Sequence, residues 1–175
     1  MTNRAQELVS KAVGTAKAAK ATLEGLTGVF RHLEREHGEV SALLVRLKAS
    51  SDPDVRRELL PTIRRELLAH EEAEQRALYP ALREHPHTTR MAEAHDRDAE
   101  SLEAAVKELN SVAVDSPHFQ PMLERLIERV QHHVREEEDD YFPVAPRVFH
   151  DRAQALLERY EQAKAEAMRI LNSTP

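Results

Sequence analysis

The chain has 175 residues, 41% of them hydrophobic, and this length fits one domain with a substantial core better than two domains. Its net charge of −6 is spread over interspersed acidic and basic residues, and no long basic block indicates a nucleic acid partner. The absence of cysteine excludes disulfides, thiolate nucleophiles and cysteine-based metal sites, whereas histidine occurs 10 times. Any chemistry must therefore use nitrogen and oxygen donors.

The composition predicts an all-α fold. Only 4 glycines and 4% aromatic residues accompany abundant Ala, Leu, Glu and Arg, which are low-cost helix formers. No stretch approaches the roughly 18 apolar residues of a membrane span, and the N-terminus lacks the apolar segment of a secretory signal. We therefore expect a cytoplasmic protein with no membrane partner.

Proline, glycine and small polar residues divide the chain into six predicted helices. Their ranges are residues 4–24, 28–49, 53–82, 88–110, 116–143 and 146–171. Asp52 with Pro53, and Ser116 with Pro117, are typical of helix starts, because a side-chain oxygen caps the helix and proline fits its first turn. The third helix is expected to break around Pro80.

The first and last helices have apolar faces that predict docking onto the rest of the chain or onto a second subunit. These faces are Val9, Ala12, Ala16, Ala19 and Leu23 in the first helix, and Ala155, Leu156, Tyr160, Ala163, Ala167 and Ile170 in the last. We accordingly divide the chain into an N-terminal accessory helix (residues 1–27), a bundle of four helices (28–143) and a C-terminal accessory helix (144–175). Monomer and homodimer both stay open.

An internal repeat is the most informative feature of the sequence. Its two copies are LPTIRRELLAHEEAEQRALYP (residues 60–80) and LERLIERVQHHVREEEDDYFP (residues 123–143). In this alignment His70 falls on His133 and Glu74 falls on Glu137. The register selects His133 over His132, because only His133 keeps the spacing of four residues to Glu137.

The helix before each copy carries a histidine on its own apolar face. The two faces consist of Phe30, Leu33, Val40, Leu44 and Leu47 around His37, and of Met91, Leu102, Val106 and Leu109 around His95. A histidine followed by His-x3-Glu thus occurs twice, as His37, His70, Glu74 and as His95, His133, Glu137. Four helices are predicted to direct these six side chains toward one interior.

A metal site explains these core positions better than a structural polar network. A single histidine on an apolar face is more often a core residue, but unpaired buried carboxylates cost several kcal/mol each and normally find a cation. Two ions bridged by the glutamates would leave roughly four of about twelve coordination positions for water, oxide or substrate. Imidazole with carboxylate suits iron, manganese or zinc, and the choice among them stays open.

Over about residues 28–143 the repeat resembles the hemerythrin-like HHE cation-binding family of non-haem diiron proteins. The spaced histidine, the His-x3-Glu pair and the trailing Tyr-Pro or Phe-Pro carry the resemblance. It implies an up-down four-helix bundle with two iron ions under an oxo or hydroxo bridge, with manganese or zinc as alternatives. Ligand roles carry over to His37, His70, Glu74, His95, His133 and Glu137. Some members use a carboxylate directly after the second-helix histidine, which makes Glu71 a further candidate.

Two departures separate the chain from the oxygen-carrying hemerythrins. Those proteins have a second histidine where this chain has Ala99, and they end with His-x4-Asp where this chain has His-x3-Glu. The resemblance therefore implies a protein that binds or reacts with O2, peroxide or nitric oxide, in stress response or oxygen handling. Whether it is an oxidoreductase that consumes peroxide or nitric oxide stays open, and iron storage or sensing without turnover is the alternative.

Other motifs are weaker. HEEAE (residues 70–74) lacks the second histidine of the HExxH zinc proteases, and the Glu-x-x-His of ferritin-like bundles occurs once, at Glu34 and His37. The remaining histidines are interpreted as surface or packing residues: His32, His85, His87, His118, His132 and His150. Tyr79 and Phe142 are expected to pack at helix ends rather than at the metals.

Overall fold

The computed structural model describes residues 3–173. Its long helices are α1 (Asn3–Leu23), α2 (Gly28–Ala49), α3 (Pro53–Ala73), α5 (Thr89–Asn110), α6 (Phe119–Arg135) and α8 (Ala153–Ser173), and the short ones are α4 (Tyr79–Arg83) and α7 (Ala145–Val148). Four of these six long helices, α2, α3, α5 and α6, form a ring. In the ring α2 contacts α3, α3 contacts α5, α5 contacts α6, and α6 contacts α2. The all-α prediction is confirmed, since residues 3–173 contain no strand.

The helices named above lie within residues 3–173. No helix among them combines the length and the apolar character that crossing a bilayer requires.

A buried polar layer crosses the ring between two apolar clusters. On α2, Leu33 packs in one cluster, Val40 packs in the other, and His37 lies between them. The histidines of the other bundle helices in this layer are His70, His95 and His133. Hydrocarbon on both sides keeps water away from the layer, so electrostatic interactions within it are stronger than at the surface.

Both repeat copies leave α-helical geometry at the same place. The π-helical segments are π1 (Glu74–Leu78) and π2 (Glu136–Tyr141). The N–H of Tyr79 donates to the carbonyl of Glu74, and the N–H of Phe142 donates to the carbonyl of Glu137, in each case five residues back. Such bulges are frequent at functional sites.

A proline after each π-helical segment explains the wider turn. Pro80 follows Tyr79, and Pro143 follows Phe142. Proline has no N–H, and in an α-helix its ring clashes with the carbonyl four residues back, so a wider turn before it relieves both problems. The predicted break around Pro80 is therefore wrong, because the helix widens and continues to Arg83.

One of the two predicted helix caps is confirmed and the other is wrong. The carboxylate of Asp52 accepts the N–H of Asp54 at 2.9 Å, as expected for the start of α3. By contrast, α6 begins at Phe119 rather than after Ser116. The hydroxyl of Ser116 accepts the N–H of His118 at 3.2 Å, which closes a local turn before the helix.

The last helix also starts later than predicted. It begins at Ala153 rather than at Pro146, because α7 and a 3₁₀ turn (His150–Arg152) come first. The backbone leaves helical geometry at Phe149, whose side chain is 3% exposed and packs in an apolar cluster. Burial of this ring therefore interrupts the predicted helix.

α1 docks on α2 through small residues rather than through its predicted apolar face. Gly14 and Gly38 lie against each other, and a Cβ on Gly14 would be 2.6 Å from the carbonyl oxygen of Arg35. The predicted face is exposed along its whole length, with Leu23 90% exposed. Because α1 turns its small residues rather than this face toward α2, the Lys17 side chain lies toward the bundle.

α8 packs on α3 and α2, as the docking prediction required. Its predicted face is partly right: Leu156, Tyr160 and Ala167 are buried, whereas Ala155 and Ile170 are exposed.

The Gly14 contact can be tested with Gly14→Val and, as a matched control, Ala16→Val at an exposed position of the same helix. Both changes add a β-branched residue to α1, but only the first meets the backbone of α2. We expect Gly14→Val to lower the free energy of unfolding by about 1–3 kcal/mol more than the control does, measured by urea titration. Equal losses would contradict the close helix contact.

Candidate metal centre

The polar layer brings together all six predicted side chains and the further candidate Glu71. Their donor atoms form two groups, each within 4.8 Å: His37, His70, Glu74, Glu137 and Glu71, Glu74, His95, His133. All seven are buried, and Glu74 is 0% exposed. Glu74 belongs to both groups, and Glu137 belongs to one of them.

Neighbouring donor atoms are spaced as a shared ion requires. Nε2 of His37 lies 3.1 Å from Oε2 of Glu137. Nε2 of His95 lies 3.5 Å from an oxygen of Glu71 and 3.5 Å from an oxygen of Glu74. An ion with bonds of about 2.0–2.2 Å holds adjacent donors roughly 3 Å apart, so small movements would complete both groups.

The inward-facing atoms of these side chains have no hydrogen-bond partner among the described residues. They are Nε2 of His37, His70, His95 and His133, both carboxylate oxygens of Glu71 and Glu74, and Oε2 of Glu137. Buried polar atoms are otherwise almost always hydrogen-bonded, and each unsatisfied one costs about 1–3 kcal/mol, more when charged. Unpaired atoms of this kind in two groups fit cations, so the residues present suit a pair of metal ions.

Three of the four histidines face a carboxylate with their other ring nitrogen, Nδ1. The pairs are His37 with Glu138 at 2.8 Å, His70 with Glu36 at 2.9 Å and His133 with Asp98 at 3.3 Å. A carboxylate at Nδ1 favours the tautomer that leaves Nε2 free for a metal, and it makes that nitrogen more basic. Sequence reasoning missed these carboxylates, although each lies within three residues of a predicted ligand in the sequence.

The two helices outside the ring, α1 and α8, contact the carboxylates that face Nδ1 of the histidines. Lys17 of α1 forms an ion pair with Glu138. The Tyr160 hydroxyl of α8 donates to Oε2 of Glu36 at 2.7 Å, and Nζ of Lys164 lies 2.8 Å from the same oxygen. The accessory helices therefore complete the surroundings of the centre, a role beyond the docking that the sequence predicts.

Tyr79 lies against the centre, so its interpretation as a residue that packs only at a helix end is wrong. Its ring stacks on His95 with centroids 3.4 Å apart, and its hydroxyl donates to Oε1 of Glu137. Phe142 packs edge to face with Phe30, but its ring also lies parallel to that of the candidate ligand His37 with centroids 6.1 Å apart, so it too is near the centre. The hydroxyl of Tyr79 occupies one oxygen of Glu137, which accounts for the membership of Glu137 in a single group.

The remaining histidines lie outside the two groups, as expected for surface or packing residues. His132 is 55% exposed and lies near Asp98 and Glu136 in a small surface cluster. His32 is half-buried and contacts Glu36 at 2.9 Å.

Without a metal, protons on imidazole balance the buried carboxylates. Burial lowers the pKa of His37, but the close carboxylates of Glu137 and Glu138 outweigh burial and raise that pKa to about 9. Burial also disfavours charge on His133, yet the carboxylates of Glu137 and Glu71 hold its pKa well above the usual value. A bound cation would replace these protons.

A bundle of four helices with two groups of histidine and glutamate in its core defines a helical metal-binding protein. The family model described as the hemerythrin HHE cation binding domain matches residues 28–145. The chain therefore belongs to the hemerythrin HHE family, and its buried groups of histidine and glutamate fit a metal-binding module.

A curated protein offers a second comparison. The DNA nickase of Nostoc sp. strain PCC 7120 is 29% identical to this chain over 110 residues. The match covers 63% of this chain and 31% of that protein, so the chain spans about a third of the length of its relative. No solved structure matches the chain.

Metal binding is expected to release protons. At pH 7 the imidazole of His37, with a pKa of about 9, is protonated, and an ion that takes its Nε2 must displace the proton. Affinity for the metal should therefore rise with pH up to about 9. Calorimetric titrations with Fe²⁺ or Zn²⁺ in buffers of different protonation enthalpy measure the proton count, and a count of zero at pH 7 would contradict this account.

Tyr160→Phe tests the role of α8 at the centre. The variant removes the donor to Glu36, and loss of such an outer contact typically weakens metal binding about 10- to 100-fold. Tyr141→Phe is the matched control, because the Tyr141 ring is buried and its hydroxyl bonds to no described residue. Metal titration followed by thermal unfolding compares the two variants, and equal affinities would show that the Tyr160 hydroxyl does not support the centre.

Proposed function

We propose that the protein holds two iron ions in the two donor groups and binds or reacts there with O2, peroxide or nitric oxide. The observation that carries the proposal is the sharing of Glu74 between two groups of buried, unpaired donor atoms, as a bridging carboxylate requires. Iron is chosen over manganese or zinc because the chain resembles non-haem diiron proteins in its ligand pattern. When bound, an iron pair supplies two-electron exchange with small oxidants.

The donor count supports a site that accepts a small ligand. Four imidazoles and three carboxylates offer at most ten donor atoms, fewer than the about twelve that two six-coordinate ions take. A cavity of about 260 Å³ reaches His37, His70, Glu71 and His133 from one side, which gives a small molecule a route to the centre.

The surrounding side chains orient the centre and hold a proton beside it. The carboxylates at Nδ1 keep Nε2 of His37, His70 and His133 pointed inward. Burial, together with the nearby charge of Glu137, raises the pKa of Tyr79 well above its usual value. The Tyr79 hydroxyl therefore keeps its own proton and donates it in a hydrogen bond to Glu137, so a proton donor lies beside the donor groups.

Iron sensing without turnover is the second candidate function. Lys17 of α1 and Tyr160 of α8 contact carboxylates that orient the histidines, so metal loading is coupled to both outer helices. A sensor needs such coupling between a metal site and a surface that a partner can recognise.

The match to the DNA nickase covers only 31% of that protein. We propose no DNA cleavage for this chain. A net charge of −6 without a long basic block favours a small ligand over nucleic acid.

Metal content, measured by elemental analysis with a visible spectrum after exposure to air, tests the proposal. Glu71→Ala removes a donor from one group, Glu74→Ala removes a donor from both, and Glu72→Ala at a more exposed neighbouring position is the control. We expect about two irons per chain in the wild type and the control, about one after Glu71→Ala, and the least after Glu74→Ala.

Equal losses in the two variants would refute the shared carboxylate, and zinc or no metal in the wild type would refute the diiron centre. Iron that consumes peroxide or nitric oxide at a steady rate favours an oxidoreductase. Iron without consumption, together with a changed protease sensitivity of α1 and α8, favours sensing.

A further inference from the structure

The cavity beside the metal centre has an unpaired positive charge at its far end. It has a volume of about 260 Å³ and extends along α2 from His37 to Arg46. These residues are nine positions apart, which corresponds to about 13 Å along a helix. One end of the cavity thus meets the candidate ligands, and the other end meets a guanidinium group.

Arg46 has no anionic partner among the described residues. Its Nη1 is buried without a hydrogen bond, and no carboxylate of that part of the chain forms an ion pair with it. A guanidinium has five N–H donors and cannot lose its charge at ordinary pH, so leaving it partly buried and unpaired is costly. An anion in the cavity would remove that cost.

The acidic side chains on the cavity wall are engaged elsewhere or exposed. Glu39 pairs with Arg35 at 2.9 Å, Glu36 and Glu66 pair with Lys164 at 2.8 and 3.0 Å, Glu71 belongs to the candidate metal centre, and Glu58 is exposed. None of them forms an ion pair with Arg46, so its guanidinium has no carboxylate partner on the described cavity wall.

The wall between the guanidinium and the centre is apolar. Its side chains include Val40, Leu43, Leu59, Leu67, Leu102 and Val130. A dry apolar cavity of about 150 Å³ is large enough to bind benzene, so this one accepts a larger hydrocarbon group. A hydrocarbon tail would be removed from water here, which stabilises the complex by about 25 cal/mol for each Å² buried.

We propose that this cavity binds a monocarboxylate with an apolar tail, with the carboxylate on Arg46 and the tail directed toward the metal centre. Two parallel N–H bonds from a guanidinium match the two oxygens of a carboxylate. Binding itself needs no metal. A role of the bound molecule as substrate or co-ligand of the iron pair rests on the proposed function.

Calorimetric titration of the 175-residue chain with octanoate at pH 7 tests the site, both as purified and after removal of metal with a chelator. We expect one octanoate per chain, and binding at least tenfold weaker after Arg46→Gln, because hydrogen bonds to a charged group contribute about 1.5–3 kcal/mol. Arg31→Gln, at an exposed arginine on the same helix, is the matched control and should bind as the wild type does. Circular dichroism verifies that both variants fold.

Acetate and 1-octanol test separately whether the carboxylate and the apolar tail each contribute to binding. Acetate lacks the tail and 1-octanol lacks the charge, so each should bind more weakly than octanoate. Equal octanoate binding by Arg46→Gln, no binding by the wild type, or phosphate bound as tightly as octanoate would each overturn the proposal. Octanoate bound by a wild-type protein that contains no iron as purified would sustain this site while refuting the diiron function.

Discussion

The burial of Glu71, Glu74 and Glu137 between two apolar clusters is the constraint on which the rest of the structure depends. Three carboxylates in a dry core would oppose folding by several kcal/mol each unless positive charge balances them. Four imidazoles surround them, and the raised pKa values of His37, His95 and His133 let these three hold balancing protons in the absence of metal. Because a cation could balance the same charge with stronger bonds, we expect bound metal to stabilise the arrangement.

Charge alternates outward from this layer. Imidazole nitrogens face the buried carboxylates, further carboxylates face the opposite sides of the rings, and the lysines Lys17 and Lys164 from the outer helices face those carboxylates in turn. This order explains the rotation of α1: Lys17 reaches Glu138 only if the helix turns its small residues, rather than its apolar ones, against α2. α1 thus docks through its small residues and the Lys17–Glu138 ion pair rather than through its predicted apolar face.

Helical periodicity and the repeat were sufficient to predict the core positions, because His37, His70, His95 and His133 occupy positions where apolar side chains would otherwise be buried. The same reasoning could not find Glu36, Glu138 or Asp98. A charged residue beside a ligand has the pattern of a surface position, and only the packing of α1, α5 and α8 shows what surrounds it. The Gly14 contact was missed for a related reason, since close helix approach depends on the neighbouring helix rather than on a hydrophobic face.

The two copies of the repeat are not equivalent, and their differences make the candidate centre asymmetric. Glu71 aligns with Val134, so the first copy supplies one carboxylate more than the second. Tyr79 aligns with Phe142, and its hydroxyl occupies one oxygen of Glu137, whereas both oxygens of Glu74 remain unpaired. A symmetric repeat would give two equal bridges. This sequence instead leaves Glu74 as the carboxylate common to both groups, with the Tyr79 hydroxyl donating a hydrogen bond to Glu137 at one side of the centre.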